Sequence, residues 1–256
     1  MYSKPVHAET SIKALFEFIK ANPLGVLTTA IPSSTHHLIQ STHIPWILDP
    51  VTDDPNAPIK GRLRGHMARQ NPHSKCMMDA CTQSRSNTLQ QEVMVLFTGA
   101  EHHYVTPKFY TETKPASGKV VPTWNYAAAQ VYGKATIHFD TAAPETAQFL
   151  AEQLHALSQH GETSVMGYTG ADGKPGPWKV SDAPERYIEV MKKAITGIEV
   201  TIESIDGKVK MSQEVPAGDR RGVIQGFKEM GSDVGDHIAA LVEKCGSKKD
   251  AERGVQ

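Results

Sequence analysis

Cysteine is the first scarcity. Cys76, Cys81 and Cys245 are the only three in 256 residues. Three thiols build no disulfide framework, and Cys76 and Cys81 meet no second pair that would complete a zinc site. They are expected as free intracellular thiols. Charge of one sign is equally lacking: 27 Lys and Arg stand against 28 Asp and Glu, a formal net charge of −1. That excludes the global basic field behind non-specific nucleic-acid binding. No apolar run reaches the roughly 18 residues that a membrane helix needs. The N-terminus, MYSKPVHAETSIKALFEF, has no secretory h-region or small-residue cleavage site. The cytoplasm is the expected location.

Common catalytic signatures are missing too. There is no P-loop, no GxGxxG and no Ser-His-Asp order. No helix-turn-helix is recognisable, and the helix expected over 184–194 carries Glu185, Arg186, Glu189, Lys192 and Lys193. That mixed surface suits DNA reading poorly, so direct nucleic-acid binding is not expected. The pairs His36-His37 and His102-His103 do not chelate by themselves, because neighbours in a strand point to opposite faces. No carboxylate spacing completes a set, and no protein-bound metal is expected. No residue identifies itself as a catalytic acid or base.

What is present is an ordinary globular composition, 39% hydrophobic and 21% charged, with ample material for a core. Periodicity predicts a first helix over 9–21 and strands over 24–29, 36–48, 59–67 and 93–97, a short one near 104–107, then 120–124 and 127–139. Helices follow over 143–159 and 184–194. A strand over 195–205 leads into a turn at Asp206-Gly207 and a hairpin return over 208–211. Short helices are expected over 223–228 and 235–244. The stretch 73–91 shows no convincing pattern and reads as a mobile insertion or a frayed helix. Residues 1–246 read as a single domain and 247–256 as a disordered tail. Strands with peripheral helices indicate an α+β fold around a barrel.

Two stretches are dense in residues that ligand sites use: Gly65-His66-Met67-Ala68-Arg69-Gln70-Asn71-Pro72 and Val121-Pro122-Thr123-Trp124-Asn125-Tyr126. Arg69 follows a strand and begins a helical turn, where free N–H groups and a guanidinium fork suit a phosphate; a structural ion pair is the alternative. His66, at the end of the same strand, reads equally as a ligand-binding donor or a satisfied buried histidine. Thr42 and His43 on the preceding strand are partners across the ladder, or simply a cross-strand pair. Trp124 offers a broad apolar face, and Asn125 offers both donors and acceptors; a dimer core and a turn are their plain alternatives. Lys114 and Lys119 reach an anion or stay solvated in their loop.

The order LGVLTT, STHIPWIL, LRGHMARQNP, VMVLFTGAEHHYVTPKFY, KVVPTWNYAAAQVYGKA and KAITGIEVTIESIDGKVKMSQ resembles the PaiB-like family of the FMN-binding split-barrel superfamily. The resemblance runs from about residue 1 to about 230, and GHMARQNP and VPTWNYAAAQVYG are its most specific pieces. It implies a six-stranded antiparallel Greek-key split β-barrel with peripheral helices, assembled as a homodimer. It implies FMN, with haem as the alternative, and a small-molecule ligand. Its cofactor set maps onto Thr42, His43, His66, Met67, Ala68, Arg69, Lys119, Trp124 and Asn125, although Ala68 lacks the hydroxyl that many members of the superfamily use. The activity implied is an FMN-dependent oxidoreductase acting on a small organic molecule, or a transcriptional regulator or ligand sensor without turnover.

Overall fold

The structure, a computed structural model, describes residues 1–254. In chain order the elements are β1 (Ala8–Glu9), α1 (Ile12–Ala21), β2 (Leu24–Ala30), β3 (Ile39–Pro45), β4 (Ile47–Pro50), β5 (Gly61–Ala68), α2 (Pro72–Ser84), β6 (Val93–Thr98), β7 (His103–Val105), α3 (Thr113–Ser117), β8 (Thr123–His138), α4 (Pro144–His160), α5 (Glu185–Lys193), β9 (Ile195–Lys210), α6 (Ala217–Lys228) and α7 (Asp233–Gly254). The chain forms two compact units. The barrel unit comprises residues 19–97 and 130–205; the terminal unit comprises 1–18, 98–129 and 206 onward. Neither is one continuous stretch, so no linker marks them in the sequence.

In the barrel unit the strand order is β3-β2-β6-β8-β9-β5-β4. The two end strands, β3 and β4, are consecutive in the chain with only Trp46 between them. One residue can join opposite ends of that order only if the sheet curls back on itself. Gly65 marks a tight point of the closure: a Cβ there would meet Ile44 Cγ2 at 2.7 Å and the Trp46 ring at 2.9 Å. The enclosed core takes alternate residues of each strand, among them Leu63 on β5, Val95 and Phe97 on β6, and Ile198, Val200 and Ile202 on β9. The pairs β2–β3, β2–β6, β4–β5 and β5–β9 are antiparallel.

The fold is therefore α+β with a curled antiparallel sheet, but nine strands form where six are expected. Two causes are visible. The run over 36–48 is broken at Trp46, whose N–H bonds to Pro23 O at 2.9 Å outside the ladder. The short strands β1 and β7 add the rest, pairing with β9 and β8. A second correction concerns 73–91. Residues 72–84 form helix α2, whose residues His73, Ser74, Cys76, Met77 and Cys81 are buried. Of the two expected readings, mobile insertion and frayed helix, a helix forms, and its polar composition hid a core-facing side.

In the terminal unit, Ala8 and Glu9 pair with Lys208 and Gly207, and Tyr104 pairs with Trp124. Val105, Tyr110, Met211, Val223, Phe227, Ile238 and Val242 make its core. The turn expected at Asp206-Gly207 does not occur, and β9 continues straight through to Lys210. Gly207 is required by crowding instead: Leu15 and Glu9 occupy the space a side chain would need. The tail expected to be disordered from 247 is helical to Gly254, with 255–256 outside the described residues. Asp250 of this helix pairs with Arg220, and Lys248 Nζ donates to Glu9 Oε2 at 3.4 Å. Among the described residues no helix is long and apolar enough to cross a membrane.

Candidate functional site

The expected site residues divide between the units. Thr42, His43, His66, Met67, Ala68 and Arg69 belong to the barrel unit, and Lys119, Trp124 and Asn125 to the terminal unit.

In the barrel unit the site is organised by the start of α2. Asn71 caps this 13-residue helix by accepting from His73 N at 2.9 Å, and Pro72 occupies the first turn. Pro there forfeits no helical bond, and Asn satisfies a donor the helix cannot. The cap drives His73 into the interior, where it is 1% exposed. Its Nε2 lies 2.9 Å from the Thr29 hydroxyl and its Nδ1 2.9 Å from the Thr42 hydroxyl. Burial lowers its pKa to about 4, so the ring is neutral near pH 7. A neutral imidazole donates from one nitrogen and accepts at the other. With the proton on Nδ1, Thr42 accepts from His73 and keeps its own hydroxyl hydrogen to donate outward. The Asn71 amide nitrogen stands 3.5 Å from the same hydroxyl.

Arg69 reaches this place through a tight turn, closed by Asn71 N donating to Ala68 O at 3.0 Å. Its backbone N–H is held by Ala194 O at 2.8 Å, and Nη1 donates to Phe139 O at 2.6 Å. No carboxylate pairs with it among the described residues, so the ion-pair alternative is not what the structure shows. The guanidinium has five N–H groups, and the bond to Phe139 uses one of them.

Strand alternation separates the remaining candidates. Met67 is 6% exposed on the core face of β5, while His66 and Ala68 point the other way. His66 sits opposite Gly197 in the ladder. The Phe149 ring fills the space above Gly197 and stacks on His138 at 3.9 Å and 8°. His66 Nδ1 is buried without a protein partner, and burial lowers the pKa of this ring. His43 is exposed, across from Val26.

In the terminal unit, Trp124 is 52% exposed and makes an edge contact with Tyr104 at 6.2 Å. Asn125 is fully buried, with Nδ2 3.0 Å and Oδ1 3.1 Å from the Ser212 hydroxyl. Ser212 has φ 56, so the amide pins a left-handed residue just after β9. Lys119 is exposed on the wall of a cavity of about 540 Å3. Asn71 and His73 went unassigned as site residues, although Asn-Pro ahead of a polar run was a legible helix start.

The Asn71 amide and the Thr42 hydroxyl stand at the positive end of the α2 dipole, and Arg69, two residues before Asn71, adds a guanidinium whose Nη1 donates to Phe139 O; groups of this kind suit a phosphate. Residues 1–204 match the family described as "Putative FMN-binding domain". An uncharacterized protein of Aspergillus fumigatus is 55% identical over 260 residues, covering 98% of this chain and 99% of its own length. Protease synthase and sporulation protein PAI 2 of Bacillus subtilis is 25% identical over 244 residues, covering 95% and 97%. Among solved structures, the FAD and heme binding protein from Mycobacterium smegmatis covers 80% of this chain and 73% of its own, at 11% identity and a TM-score of 0.44. With residues 1–204 of 256 matched, the chain belongs to the FMN-binding domain family.

Proposed function

We propose that this protein is a flavoprotein that holds the FMN phosphate at the start of α2. The observation that carries the reading is the Asn71 amide beside the Thr42 hydroxyl at the start of α2, with Arg69, two residues earlier in the chain, holding a guanidinium that has no carboxylate partner among the described residues. The family to which the chain belongs supports the choice of FMN over other phosphates.

His73 is a positioning residue in this reading. With the proton on Nδ1, its neutral ring donates to Thr42 and leaves the Thr42 hydroxyl hydrogen free to point away from the core. Arg69 orients the phosphate as a bidentate donor. Bound FMN supplies hydride or electron transfer, which implies an oxidoreductase acting on a small organic molecule. A homodimer is part of the same proposal.

The test is an FMN titration of the purified protein, followed by quenching of flavin fluorescence. Arg69→Gln removes a charge-assisted donor and should weaken FMN at least about tenfold. Thr42→Val should weaken it less. Equal affinity in Arg69→Gln and the parent chain would sink the placement.

A further inference from the structure

The terminal unit contains a cavity of about 540 Å3, within the range of roughly 300–1,000 Å3 that small-molecule sites occupy. Four lysines line it: Lys4, Lys119, Lys208 and Lys210. Strand geometry places two of them there, because Lys208 and Lys210 are two apart on β9 and share a face. Residues 208 onward lie beyond the stretch matched by the family.

The cavity wall also carries two carboxylates, Asp219 and Glu214. Asp219 Oδ1 accepts from the backbone N–H groups of Glu112 at 2.8 Å and Thr113 at 3.0 Å. Burial opposes its ionisation, yet these bonds hold its pKa below the usual value. Glu214 lies 3.1 Å from His7 Nε2 and 3.8 Å from Lys210 Nζ. Lys210 also donates to the Thr123 hydroxyl and to Trp124 O. Lys208 donates to Tyr2 O at 3.3 Å and lies 5.3 Å from the centre of the Tyr126 ring. Among the described residues no carboxylate comes within ion-pair distance of Lys4, Lys119 or Lys208.

Four ammonium groups against two carboxylates leave an excess of positive charge around one concavity, which raises its potential and concentrates anions. The wall also has apolar and aromatic members, Tyr110, Val120 and Pro122. We infer that this cavity is a second ligand site, separate from the start of α2, for an organic phosphate monoester with a flat apolar body. The anionic group is held by Lys4, Lys119 and Lys208, and the body lies against Tyr110, Val120 and Pro122. This site does not depend on the flavin reading.

Isothermal titration of the full chain, saturated with FMN, with phenyl phosphate as the probe tests it. One equivalent should bind, more weakly as salt rises. Lys4→Gln combined with Lys119→Gln should weaken binding at least about tenfold, because two charge-assisted contacts are lost. Both side chains are exposed, so the variant should fold. Lys114→Gln, an exposed lysine of α3 that is off the cavity wall, should bind like the parent. Three outcomes would overturn the site: no binding of phenyl phosphate, equal affinity in the double variant, or exclusion of phenyl phosphate by FMN.

Discussion

The His73 ring stands between two threonine hydroxyls, with Thr42 2.9 Å from Nδ1 and Thr29 2.9 Å from Nε2. Burial holds its pKa at about 4 against an ordinary 6.5. The unfolded chain therefore takes up this proton first as pH falls, and the folded state loses stability between about pH 6.5 and pH 4. Above 6.5 the contribution is fully present. The whole shift is worth up to about 3 kcal/mol. Urea unfolding at pH 7 and pH 4.5 should show this loss in the parent chain and a shallower loss in His73→Gln. An identical pH slope in both proteins would contradict the buried neutral ring.

Asn125 is a structural residue in this account. Asn125→Ala leaves the buried Ser212 hydroxyl without its partner and should cost about 1–3 kcal/mol. Thermal unfolding measures that loss, and FMN affinity of the folded variant should stay unchanged. A drop in FMN affinity at unchanged stability would make Asn125 a ligand residue.

Gly65→Ala places a methyl group against Ile44 and Trp46 where the sheet closes on itself. Overpacking of this kind costs about 1–3 kcal/mol. A melting temperature equal to that of the parent would mean the closure is looser than described.

Removing residues 248–256 takes Asp250 away from Arg220, which is 9% exposed. A buried guanidinium left unpaired costs about 1–3 kcal/mol, so the shortened chain should unfold at lower urea. An unchanged midpoint would show that this end contributes nothing to the terminal unit.

The strands were legible where an apolar run or an alternation was clean. The strand at Val93–Thr98 follows from an unbroken β-branched and apolar run over 93–97, and helix α4 follows from Phe149, Leu150, Leu154 and Leu157 at helical spacing. What was hidden has physical causes. Helix α2 buries His73, Ser74 and two cysteines, residues that a hydrophobicity pattern does not register as core. Asp206-Gly207 carries a turn signature, but the glycine answers to the crowding of Leu15 and Glu9. Within the first dense stretch, Arg69 and Asn71 stand at one helix start, whereas Met67 fills the core face of β5. The lysine cavity draws on residues from 2 to 219, a separation no local motif can announce.

The central claim is that this chain carries FMN, and an absorption spectrum tests it most directly. Purified protein would be incubated with FMN, freed of excess and scanned through the visible range. Retained bands at about 370 and 450 nm, the signature of bound flavin, are the expected result, and they should be lost or diminished in Arg69→Gln. A featureless spectrum from the folded parent chain would contradict the account.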